Sequence, residues 1–136
     1  MKRAIIFLTA IFSMNIAGMY FRFYEYWWFD MLALHFLGGF FMAMLMFYYL
    51  ADVKPPSKLK SYLVIVGAVS FIGVVWEFAE YLANQTLIEP IYEHFKVRAY
   101  FIGDLDDTIN DLLMDVVGAI TFLLLWKIEN TKRSDL

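Results

Sequence analysis

Four apolar stretches, each close to twenty residues long, leave this chain few ways to fold. They run over residues 4–21, 30–50, 61–83 and 107–126. A helix rises about 1.5 Å per residue, so each stretch can cross a hydrocarbon core of about 30 Å. Composition agrees: 62% of the residues are hydrophobic, 20% are aromatic, and the mean hydropathy is +0.60. Soluble domains do not carry that balance. The expected fold is all-α, a polytopic membrane four-helix bundle forming one domain over residues 1–136.

The first stretch follows Lys2 and Arg3, as a signal peptide would. Cleavage needs small residues at set spacing, and Asn15-Ile16-Ala17-Gly18 is a poor match, so it reads as a retained span. Tyr20 to Phe29 then holds eight aromatic residues in ten, interrupted by Arg22 and Glu25. Such density marks a membrane interface. Tyr48 and Tyr49 mark the opposite one. Residues 51–60, with Pro55-Pro56 and three lysines, read as a short polar turn, and residues 84–103 as a longer polar connector.

Lysine and arginine bias sets the orientation. Lys2, Arg3, Lys54, Lys58, Lys60, Lys127, Lys132 and Arg133 fall on one side, against Arg22, Lys96 and Arg98 on the other. Both termini are therefore expected in the cytoplasm, with the chain in the inner, cytoplasmic membrane.

Against this apolar background the ionisable residues stand out. Asp104, Asp107, Asp111 and Asp115 are spaced three, four and four apart and form one stripe of the last span. Asp30 and His35 lie in the outer half of the second span, Glu77 and Glu80 in the outer half of the third. From the helical rise, His35, Glu77 and Asp111 each lie about 6 to 9 Å from the outer end of their helices. No lysine or arginine in these segments balances the carboxylates. Retained protons, a bound cation, or Arg98 folding back from the outer connector would do so.

Each of these residues also has a plainer reading. Asp30, and one of Asp104, Asp106 and Asp107, would serve as helix N-caps. Glu77, Asp111 and Asp115 lie too deep for capping and would form an interhelical polar network. His35 would be a packing histidine, and Met31, Met42, Met44 and Met46 would face lipid or pack. Gly38, Gly39, Gly67, Gly73 and Gly118 would allow close helix approach. On a regular helix His35 is off the face of Asp30, so Asp30 would act from the mouth of its helix or not at all.

The net charge of -3 and the lack of a long basic run argue against a nucleic-acid partner. Cysteine is absent, which excludes disulfides, thiolate metal sites and a cysteine nucleophile.

Taken together, Asp30 and His35 followed by Gly38, Trp76-Glu77 with Glu80, and Gly103-Asp104, Asp107-Thr108, Asp111, Gly118-Ala119 resemble the VanZ-like membrane proteins, and more specifically the YjdF-like ones. The likeness covers about Trp28 to Ala119. Two departures are visible: Asp30 and His35 stand one residue further apart than in the YjdF-like form, and a VanZ-like asparagine is expected where Asp111 or Asp115 stands. The resemblance implies a link to the cell envelope and no particular reaction.

Facing carboxylates and a histidine on bundle helices are how such bundles build metal centres. The leading expectation is a divalent-cation site, for magnesium, manganese, zinc or iron, acting on a lipid or envelope headgroup, with phosphoester hydrolysis as the concrete reaction. Glu77, Asp111, Asp115 and His35 would hold the ion, with Asp107 and Asp30 as further candidate ligands. His35 would also serve in catalysis, Glu80 as general base, and Arg98 to neutralise a phosphate. The expected partners are membrane lipids and a lipid-linked or envelope substrate. Two alternatives are a cation or proton transport component and a non-catalytic lipid-binding or scaffold protein.

Overall fold

A computed structural model describes residues 1–23, 26, 28–53 and 57–134, with side chains through residue 128. The readings of Glu25, of the Pro55-Pro56 turn with Lys54, and of the side chains of Lys132 and Arg133 lie outside the described residues. The helices are α1 (Lys2–Phe21), a π-helical segment (Phe29–Phe36) that runs directly into α2 (Leu37–Tyr49), α3 (Lys58–Thr86), α4 (Ile88–Phe95) and α5 (Leu105–Ser134). The described residues contain no strand. Lys2–Phe21, Phe29–Tyr49, Lys58–Thr86 and Leu105–Ile128 are long and apolar enough to cross a membrane. Ile6, Leu63, Phe71 and Phe78 point outward and are each more than 60% exposed, a surface that suits acyl chains and not water.

Local chemistry explains the helix ends. Ser57 Oγ accepts the Lys60 backbone N–H at 3.3 Å at the start of α3. At the start of α5, Asp104 Oδ1 accepts the Asp107 N–H at 3.1 Å, so Asp104 is the capping aspartate of its row. Asp30 is no cap: it lies inside the first turn of the π-helical segment, whose start has no side-chain cap. α1 ends where Arg22 turns left-handed, φ 59°, and donates its N–H to Gly18 O.

The stretch at 84–103 departs from expectation. α3 continues to Thr86, and α4 occupies the middle of what reads as a polar connector. Pro90 does not interrupt α4, because it falls in the first turn, where its missing N–H would have had no helical partner. Tyr92 and Phe95 of α4 are exposed.

The π-helical segment and α2 form the centre of the bundle and pack against α1, α3 and α5. Two glycines set the α2–α5 crossing. A Cβ on Gly39 would lie 2.6 Å from Asp115 Cα, and one on Gly118 would lie 2.8 Å from the Phe40 nitrogen, so the two backbones meet directly. Gly67, by contrast, faces open space and has no part in a close approach. Below the crossing, Ala43, Ile65, Val69, Ala119, Phe122 and Leu123 form an apolar core against which Met42, Met44 and Met46 pack. α1 is the outlier. Its backbone packs on α2 and the π-helical segment but, among the described residues, stays clear of α3 and α5.

Candidate functional site

His35 is the hub of the polar cluster. It is 5% exposed and is contacted by carboxylates from two directions. Nε2 lies 3.9 Å from Asp30 Oδ1 and 3.6 Å from Asp111 Oδ2. Nδ1 lies 3.8 Å from Asp115 Oδ1. Asp30 therefore does join His35, five residues away. On an α-helix that spacing is about 140° off-face. In a π-helix, whose hydrogen bonds run from i to i+5, the fifth residue lies roughly one turn on. The extra residue that separates Asp30 from His35 is absorbed as π-helix, which restores a shared face.

α5 contributes Asp111 and Asp115, one turn apart. The Asp115 carboxylate rests against two glycines: a Cβ on Gly73 of α3 would lie 2.5 Å from Oδ2, and one on Gly38 4.0 Å from Oδ1. The missing side chain at Gly73 thus makes the space that Asp115 fills beside the His35 ring. α3 contributes Glu77, 7% exposed, with which Thr108 of α5 interacts. One turn outward, Glu80 Oε1 accepts the Trp76 indole N–H at 2.8 Å.

Two oxygens are left over. Glu77 Oε1 and Asp111 Oδ1 are buried and, among the described residues, have no hydrogen-bond partner. Buried carboxylate oxygens in low dielectric are costly unless something cationic or a donor satisfies them. The distances to His35, 3.6 to 3.9 Å, are too long for hydrogen bonds. They suit groups arranged around a shared centre. Asp30, His35 and Asp111 each offer a donor atom within 4.8 Å of the others. Two atoms bound to one ion at about 2.0 to 2.6 Å can stand at most about 4 to 5 Å apart, so the spacing is compatible with a common ion.

Two cavities flank the cluster. The outer one, about 150 Å³, is polar and is lined by Asp30, Glu80, Asp107 and Asp111, together with Asn15, Tyr100 and Phe101. The inner one, about 240 Å³, is almost wholly apolar; His35 and Asp115 lie in its wall. Seven of the residues singled out from the sequence, Asp30, His35, Glu77, Glu80, Asp107, Asp111 and Asp115, thus gather at or around one site. Arg98 does not join them. It is exposed, lines neither cavity, and among the described residues pairs with no site carboxylate.

Three wall residues escaped the sequence reading. Asn15 is the lone amide of the first stretch, and that was the available signal for it. Tyr100 and Phe101 follow α4 and return over the outer cavity with Ala99 buried beside them. Nothing in local sequence marks that return.

No solved structure matches the chain. An uncharacterized protein of Thermotoga maritima is 31% identical over 119 residues, which is 83% of this chain and 55% of that protein. The chain therefore spans only a little over half the length of that relative. A family model described as "Predicted membrane protein (DUF2238)" matches residues 2–132. With nearly every residue covered, the chain belongs to that family of predicted membrane proteins.

Proposed function

We propose that this protein is a multi-pass protein of the inner membrane, related to the VanZ-like and YjdF-like proteins, that binds a divalent cation in its outer half and acts there on a lipid or envelope headgroup. The observation that carries this reading is the pair of buried, unpartnered oxygens, Glu77 Oε1 and Asp111 Oδ1, beside a His35 surrounded at ion-pair distance.

The geometry supports a division of labour. Asp30, Asp111 and His35 Nε2 hold the ion. Asp115 faces the Nδ1 side at 3.8 Å, where its charge favours the ring orientation that turns Nε2 toward Asp30 and Asp111. Glu77 supplies further negative charge from α3. Oxygen donors with one imidazole suit magnesium, manganese, iron or zinc.

A bound ion would acidify a coordinated water and polarise a phosphoryl oxygen. In phosphoester hydrolysis the water oxygen bonds to phosphorus while one water proton passes to Glu80, the bond from phosphorus to the ester oxygen breaks, and Glu80 returns that proton to the departing alkoxide, which leaves as the alcohol. Glu80 is suited to this role because it lines the polar cavity while Trp76 holds one of its oxygens. Arg98 reaches a phosphate only if its connector moves inward.

The test is elemental analysis of protein purified in chelator-treated detergent and reloaded with single metals, combined with thermal melting. One ion per chain and a raised Tm are expected, and both are lost in Asp111→Asn. A protein that takes up no divalent ion and melts identically with each of them would refute the metal-centred reading.

A further inference from the structure

The inner cavity is apolar except where His35 and Asp115 stand in its wall. Its walls are Leu8, Ile11 and Phe12 of α1, Met42 of α2, and Val69 and Ile72 of α3, with Gly38 and Gly39 giving it depth. It exists because α1 leans on α2 and the π-helical segment without closing onto α3. Across the gap the two helices are linked by the edge-to-face pair Phe12 and Trp76, centroids 6.2 Å apart. Phe12 is half-exposed, so the gap opens sideways, toward where the bilayer's acyl chains would be.

We propose that this cavity is the lateral entry and seat for one hydrocarbon chain of a membrane lipid whose headgroup lies in the outer polar cavity. The inference rests on the reading of the polar cluster as a headgroup site and names its substrate class: a bilayer amphiphile, as opposed to a water-soluble phosphoester.

Three observations fix the occupant. The cavities adjoin each other, sharing Asn15 and Leu34 in their walls, with polar lining on the outer side and apolar lining on the inner. Their order matches that of a lipid standing in an outer leaflet. The size also fits: a cavity of 150 Å³ takes a benzene ring, so about 240 Å³ has room for roughly ten chain carbons. Finally, an apolar void bordering lipid forfeits dispersion contacts that a neighbouring chain restores on entering. Because burial from lipid brings no hydrophobic gain, the polar end must supply the selectivity, and that end is where the carboxylates and His35 stand. Trp76 links the two, with its ring at the gap and its N–H on Glu80.

The test is photocrosslinking of the full chain in phosphatidylglycerol vesicles, with a phosphatidylglycerol carrying a diazirine in one acyl chain as the probe. Adducts at Leu8, Ile11 and Ile72 should saturate as the probe fraction rises, whereas adducts at the outward-facing Phe71 and Phe78 should rise in proportion. Gly38→Leu should fill the cavity, since a Cβ there meets only Asp115 Oδ1, at 4.0 Å. Ile72→Trp fills it independently from α3. In either variant cavity adducts should fall about tenfold, a change of about 1.4 kcal/mol in site affinity, with the Phe71 adducts unchanged.

Cavity adducts that grow linearly and ignore both substitutions overturn the inference. So does replacement of lipid adducts by crosslinks between copies, which would make the gap a protein interface. Metal content is measured on the same samples. Absence of metal would sink the cation reading and leave saturable chain labelling standing; unsaturable labelling of metal-loaded protein sinks only the present inference.

Discussion

At the scale of single residues, the arrangement around His35 separates side chains that look alike in the sequence. Asp111 and Asp115 are one turn apart on the same stripe, yet they face opposite nitrogens of one imidazole. If Nε2 faces the ion, Asp111 is a ligand and Asp115 an orienting group. Outer-shell partners of metal-bound histidines typically change affinity by about 10- to 100-fold. Asp115→Asn should therefore weaken metal binding by about that factor and leave the stoichiometry at saturation intact, whereas Asp111→Asn should abolish measurable binding. Isothermal titration of the two variants checks this, and equal losses would show that the imidazole is not used in the inferred direction. His35, Glu77, Asp111 and Asp115 were legible in the sequence because ionisable groups in apolar runs are costly and stand out. The split between them was not, since spacing along α5 says nothing about which ring nitrogen each carboxylate meets. Arg98 shows the same gap from the other side: its charge made it a natural phosphate partner, but the connector leaves it exposed.

At the scale of elements, four long apolar helices were legible because length and hydropathy carry over directly into helices long and apolar enough to cross a membrane. Two features were not. α4 is only eight residues long and contains a proline, so the signals that usually mark a loop coincide with a helix start. The π-helical segment has no propensity signature, and its effect is to change which residues share a face. That makes a register prediction. Deleting Leu32, which is half-exposed, puts Asp30 four residues before the histidine, a spacing that shares a face on an ordinary α-helix. The deletion variant should keep metal affinity within about tenfold of the parent, a change of about 1.4 kcal/mol. Inserting one alanine after Leu32 gives a spacing that fits neither helix and should lose binding. Equilibrium dialysis with the metal that loads best tests the pair. Unchanged binding in both would mean that Asp30 is not a ligand, and equal loss in both would refute the register argument.

At the scale of the whole molecule, the question is which side the site faces. Four crossings would place both termini on one side, together with Lys2, Arg3, Lys58, Lys60 and Lys127. The polar cluster lies at the other end of the bundle, separated from the lysine-rich end by the apolar core of Ala43, Ile65, Val69, Ala119, Phe122 and Leu123. A relay of protons or ions through a single copy would have to cross that core, and among the described residues the core offers no carboxylate, histidine, lysine or arginine. A one-sided pocket fits better than a conduit. Because the chain contains no cysteine, single introduced thiols report topology without background. Asp52→Cys, in the exposed turn after α2, and Glu93→Cys, on exposed α4, should react with a membrane-impermeant maleimide from opposite faces. The positive-inside rule assigns Glu93→Cys to labelling from outside in cells with the outer envelope opened, and Asp52→Cys to labelling only after the membrane is permeabilised. Labelling of both thiols from one face would break the four-span arrangement. A clean reversal would keep the arrangement and turn the site toward the cytoplasm, where its lipid would have to come from the inner leaflet and an envelope substrate would be out of reach.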